Sequence, residues 1–119
     1  MLISASDPVA AALTTALDGL AMRQRVAADN IANMDTPGFI ASEVDFEGSL
    51  TAALADGSLV EDGAAPTVTR SLRTPGANGN NVDLATETMA AMQSTFRYQL
   101  LTRAVGDRAS LVTTAIGGM

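Results

Sequence analysis

The chain has 119 residues, 47% of them hydrophobic and 3% aromatic, and contains no cysteine, histidine, lysine or tryptophan. That supports one domain with a modest core. It excludes imidazole bases, thiolate nucleophiles, Schiff-base and P-loop lysines and Cys/His zinc sites, so neither a cofactor, a metal nor a conventional active site is expected. Seven arginines against thirteen acids leave a net charge of −6, the wrong sign for a partner made of nucleic acid or anionic lipid.

The first element opens at Asp7-Pro8, a capping side chain followed by the imino acid tolerated at a helix's first position. Ala10, Leu13, Leu17, Leu20, Gln24, Ala27, Ile31 and Met34 then recur at alternating steps of three and four, the spacing of a coiled-coil seam with one polar interruption. Thr36-Pro37-Gly38 ends the pattern, because proline disfavours helical geometry at the residue before it and glycine permits a turn. The spacing therefore predicts a helix of nearly thirty residues within an N-terminal unit spanning 1–36. No base precedes the apolar stretch Pro8 to Leu17, so a secretory signal is not expected and an exported chain would travel by another route.

Residues 37–82 form a central loop or extended segment. Between 35 and 66, across the boundary into this segment, Asp35, Glu43, Asp45, Glu47, Asp56, Glu61 and Asp62 meet no base, so this stretch should repel its own copies and stay in water. Phe46, Leu50 and Leu54 recur at steps of four and suit a short helix with one apolar edge, while Val68, Arg70 and Leu72 alternate as in a short strand. Glu43, Asp45 and Glu47 would share one face of an extended strand, where they could hold calcium. Without a glycine-spaced calcium loop, a solvated acidic loop is the better expectation. Pro75 to Asn81 is a loop by composition.

The third unit, 83–119, begins at Asp83, an N-cap with Glu87 in the positive first turn, and runs as one long helix to a stop at Gly117-Gly118. One apolar stripe passes through Met89, Met92, Phe96, Leu100, Ala104 and Leu111, and a second through Leu101, Val105, Val112 and Ile116. Two stripes imply more than one neighbour, since a helix packed on a single partner needs one apolar face. Small residues such as Ala16, Gly19, Ala27, Ala28, Ala90, Ala91, Ala104 and Gly106 would let helices approach closely. The longest uncharged run, Ala109 to Met119, falls well short of the about 20 apolar residues that span a bilayer, so no membrane insertion is expected. The expected fold is thus mainly α: two long terminal helices in a coiled-coil-like hairpin, joined by an acidic, largely irregular middle. Both terminal segments are expected to be partly disordered in the free chain and to fold on assembly.

Two segments carry a family resemblance. Asn30-Ile31-Ala32-Asn33-Met34-Asp35-Thr36-Pro37-Gly38-Phe39 resembles the motif that closes the N-terminal helix of bacterial flagellar rod and hook proteins. Gly79-Asn80-Asn81-Val82-Asp83-Leu84, with Glu87, Met89 and the run Arg97 to Ala104, is similar to the C-terminal region of the proximal rod branch of that family, the FlgB type. Ile40 stands where a base commonly follows the aromatic, and Asp107-Arg108-Ala109-Ser110 where lysines are expected.

The resemblance implies a structural subunit, not an enzyme, exported through the flagellar type III apparatus without a cleaved signal. Its implied place is the basal-body rod, built around the export channel beside the membrane ring. Its implied partners are other rod subunits, membrane-ring and ring-rod junction proteins and the export gate, in a hetero-oligomeric assembly that transmits torque. The expected assembly interface is Leu13, Leu17, Leu20, Ile31, Met34, Met89, Met92, Phe96, Leu100, Leu111, Val105, Val112 and Ile116. The turn motifs are Asn30, Asn33, Thr36, Pro37, Gly38 and Phe39 with Asn80 and Asn81. Asn30 and Asn33 can bond backbone groups left unpaired where the helix ends, Pro37 stops it, Gly38 allows the reversal and Phe39 packs back. A soluble helical adaptor that takes one partner helix into its seam is the alternative. An acid-catalysed hydrolase built on two carboxylates is disfavoured by a chain small for a substrate cleft.

Overall fold

Asp7 starts the first helix, α1 (Pro8–Ala32), in the computed structural model, which describes residues 7–117. Its backbone is extended and its carboxylate accepts the Val9 N–H at 2.9 Å, satisfying a donor that the helix cannot. Asp83 does the same for the last helix, α4 (Leu84–Gly117), accepting from Ala85 N at 3.0 Å and Thr86 N at 3.4 Å. These bonds, the Thr86 contact foremost, hold the Asp83 carboxyl below the usual carboxylate range. The Gly118 half of the expected stop lies outside the described residues.

The two helices run antiparallel. Asn30 meets Glu87, Gln24 meets Thr95 at 2.8 Å, and Asp7 forms an ion pair with Arg108 at the open end. Gln24, the polar break in the seam, is thus answered by a hydroxyl on the facing helix, which pins the register of the pair. The second stripe of α4 turns inward: Leu101, Val105 and Val112 are half-buried. Ile116 is 65% exposed, because α4 runs on past Arg108, which already lies opposite the start of α1.

The middle of the chain is more ordered than its composition suggests. It forms a small lobe of β1 (Ser42–Asp45), α2 (Glu47–Asp56), α3 (Leu59–Asp62) and β2 (Thr67–Arg70). The strands pair antiparallel, with Ser42 opposite Arg70 and Asp45 opposite Thr67, and the two short helices lie between them in sequence. β1, α2 and α3 all pack on α1. The core sits there: Leu20, Val44 and Phe46, with Ala16, Met22, Val26 and Leu101 against them. The expected short helix is real, but Phe46 precedes it as the N-cap residue and is buried, Ala53 takes the buried edge, and Leu54 is half-exposed. The expected strand ends at Arg70, so Leu72 falls beyond it and is 98% exposed.

The molecule measures 67 × 27 × 16 Å with a radius of gyration of 17.9 Å, against about 13.5 Å for a compact chain of this length. Elongation leaves much apolar surface uncovered. Among the described residues no helix is long and apolar enough to cross a membrane.

Candidate functional site: an asparagine junction and an outward apolar face

The turn motif is a hydrogen-bonded junction that ties together the end of α1, the start of the lobe and the loop before α4. The helix closes at Ala32, four residues before the expected stop at Thr36. Asn33 ends it: its N–H is shared between Asp29 O and Asn30 O, its side-chain Nδ2 donates to Asp29 O at 2.8 Å, and its Oδ1 accepts from Thr36 Oγ1. Met34 is therefore in the turn, 40% exposed, rather than on the seam of a continuing helix. Pro37 follows in the exposed turn, and Phe39 is half-buried with its N–H returning to Thr36 O at 3.2 Å.

Asn30 does not cap the helix, contrary to the expectation from sequence. Fully buried, it faces the lobe: Nδ2 donates to Ser42 O at 2.8 Å and Oδ1 accepts from Ser42 N at 3.0 Å. One carboxamide thereby pairs with both polar groups of a strand residue, as a neighbouring strand would. Nδ2 also lies 3.1 Å from a Glu87 oxygen.

The loop before α4 supplies the other side. Asn80 Nδ2 donates to Asn33 O at 2.9 Å and Thr36 O at 2.8 Å, two carbonyls released by the end of α1. Asn81 Oδ1 accepts from Ala41 N at 2.7 Å, and its Nδ2 reaches Arg73 O at 3.0 Å. Gly38 N donates to Asn78 O at 2.9 Å. Gly38 and Gly79 both have positive φ, +74° and +80°, and a Cβ on Gly79 would lie 3.2 Å from Gly38 Cα, so close backbone approach and left-handed geometry require glycine here.

The sequence marks Glu87 as a first-turn acid and as part of the C-terminal motif, with no sign of its burial. It is in fact a buried carboxylate that receives Arg73 at 2.7 Å as well as Asn30, joining α4 to both α1 and the loop. Arg73 carried no sequence signal beyond its charge. A cleft of about 280 Å³ lined by Arg23, Ser42, Arg73, Thr86 and Glu87 opens beside this pair, with its arginines already held by carboxylates. Glu43 and Asp45 point outward from β1, whereas Glu47 turns back onto Arg23, with oxygens 2.6 and 2.9 Å from its guanidinium. That contact pulls the Glu47 carboxyl down to about 2. The three acids therefore share no face, and among the described residues none cluster as metal ligands.

The residues expected at an assembly surface divide in two. Met89, Met92, Phe96, Leu100 and Leu111 are 50–70% exposed on α4, with Leu100 at the border of the face, where it lines an apolar groove with Ala16 and Leu20 of α1. Leu13, Leu17, Ile31, Val105 and Val112 are half-buried, and Leu20 is fully buried. Leu20 is thus taken up by the chain's own core. Gly19 is likewise used internally: it leaves the space that Phe46 fills.

The family model for flagella basal body rod proteins matches residues 12–39, from inside α1 to the aromatic that ends the turn motif. The chain is 35% identical over 106 residues to the flagellar basal body rod protein FlgB of Borreliella burgdorferi, covering 72% of this chain and 78% of that one. It is 32% identical over 107 residues to FlgB of Cereibacter sphaeroides, covering 81% and 84%. The match to FlgB of Salmonella typhimurium is 30% over 112 residues, covering 78% and 81%. The chain belongs to the FlgB family of flagellar basal-body rod proteins.

Proposed function

We propose that this chain is a structural subunit of the flagellar basal-body rod that polymerises through its terminal units, 1–36 and 83–119, and carries out no catalysis. One observation carries the reading: in a member of a rod-protein family, Met89, Met92 and Phe96 stand on the outer face of α4 more than half exposed, with the half-exposed Leu100 at the edge of the same patch. A contiguous apolar patch of this kind is costly in water and marks an interaction surface. Helices of neighbouring rod subunits would cover it, while the inner stripe holds α1. Leu111 and Ile116 extend the surface along the distal part of α4, while the half-buried Leu13, Leu17, Ile31, Val105 and Val112 would add only the edges they leave exposed.

In this reading the assembled helices surround the export channel, the partners are other rod subunits together with membrane-ring, junction and export-gate proteins, and the rod passes torque from the ring. The chain reaches the rod through the flagellar type III apparatus without a cleaved signal. The acidic lobe, rimmed by Glu43, Asp45, Asp56, Glu61 and Asp62, would face solvent or the junction proteins rather than the apolar axis.

The test is Leu100→Asp. Because Leu100 is half-exposed in the single chain, the variant should fold and be expressed normally yet abolish swimming in soft agar and fail to enter isolated basal bodies. Normal motility would overturn the reading. Sedimentation with rod neighbours separates the helical-adaptor alternative, which saturates at a fixed stoichiometry, from a subunit that enters a growing assembly.

A further inference from the structure

We infer that Asn78-Gly79 is a latent modification site, a deamidation-prone dipeptide that the closed junction shields and that opening of the junction exposes to reaction. The chemistry needs only water. The Gly79 amide nitrogen, after losing its proton to solvent, attacks Asn78 Cγ; the new C–N bond closes a five-membered imide, the Cγ–Nδ2 bond breaks, and ammonia leaves. Water then opens the ring at either carbonyl to give an aspartyl or isoaspartyl residue at position 78. Glycine on the C-terminal side favours ring closure because no side chain obstructs the attacking nitrogen.

In the structure that nitrogen is occupied. Gly79 N donates to Gly76 O at 2.9 Å, which holds its proton in place. Ring closure would also rotate the backbone around Asn78, whose carbonyl accepts from Gly38 N at 2.9 Å, and move Gly79 where it lies against Gly38. The Asn80 N–H on Asn78 Oδ1, at 3.1 Å, works the other way by polarising the carboxamide. The engaged nucleophile decides, since no imide forms without its deprotonation. Reaction therefore requires local opening, and its rate reports the open population. An isoaspartyl product inserts an extra backbone methylene beside the Gly38 contact and adds a negative charge, so a reacted chain cannot rebuild the junction. The site would mark chains that have spent time unfolded, independently of what the folded chain assembles into.

The full chain is incubated in mildly alkaline buffer, native and in urea, and the tryptic peptide from Thr74 to Arg97 is followed by tandem mass spectrometry. Deamidation at Asn78 should be at least about tenfold slower in the native chain. An equal rate, or a faster native one, would overturn the inference. Asn80→Ala, which removes the bonds to Asn33 and Thr36, should raise the native rate toward the urea value. A folded variant that deamidates as slowly as the wild type would overturn it too. Should that variant fail to fold, the wild-type ratio alone decides.

Discussion

Gly19 lies in the middle of α1, where glycine costs about 1 kcal/mol of helix propensity relative to alanine. Phe46 explains it. A Cβ at Gly19 would lie 2.3 Å from the Phe46 ring, which is buried against α1 with the Arg23 guanidinium 4.8 Å above its centroid. Gly19→Ala should therefore destabilise the chain by about 1–3 kcal/mol despite the gain in propensity, read as a lower urea midpoint; an unchanged or higher midpoint would show that the ring moves freely. Glu47 offers a second test at this scale. Arg23 lowers its folded pKa from 4.5 to about 2, so its stabilisation is complete above pH about 4.5 and is lost as pH falls toward 2. With half of its side chain exposed, the effect is small, at most about 1 kcal/mol. Glu47→Gln should lower thermal stability by up to that amount at neutral pH, with the difference from the wild type shrinking as pH falls from 4.5 toward 2, so that the acid limb of the variant is flatter.

At the scale of elements, the decisive contact is between α1 and β1. Asn30 supplies the lobe's inner edge with the two hydrogen bonds a further strand would have made, from within a helix and from a buried position. Asn30→Ala leaves Ser42 N and O without these partners and removes one contact of the buried Glu87 carboxylate, for a loss of about 1–3 kcal/mol. Denaturant titration measures the total. Amide exchange would locate the damage, with protection lost in β1 and β2 before it is lost in α1. Asn30→Asp is expected to be worse than its size suggests, because it sets a second carboxylate 3.1 Å from Glu87.

At the scale of the whole molecule, the hairpin is long, thin and thinly buried. Only Glu87 and Ser94 of the 34 residues in α4 are fully buried, so the helix draws little stability from the chain itself. Hydrogen exchange on dilute monomer is expected to show weak protection through residues 84–116, least beyond Arg108, and stronger protection after assembly. Uniformly strong protection in the free chain would overturn the idea that assembly completes the fold. Leu100→Asp belongs to this scale as well: with half of Leu100 covered by its own chain, it should lower monomer stability modestly while abolishing polymerisation.

Both helix starts, the inner seam and the two stripes of α4 were legible because capping and periodicity depend on residues within a few positions of one another. Asp7, Asp83, Gln24 and the Met89-to-Leu100 stripe are examples. The family motif at 30–39 was legible for the same reason, being contiguous. The end of α1, the strand edge filled by Asn30, the space that Gly19 leaves for Phe46 and the burial of Glu87 were decided only in three dimensions. Apart from the bonds that Asn33 makes to Asp29 and Thr36 at the end of α1, their partners lie between 12 and 57 positions away, and spacing along a chain does not say which distant groups will meet. Local chemistry thus determined which segments are helical and which faces are apolar; tertiary packing decided which of those faces the chain covers itself and which it leaves for a neighbour.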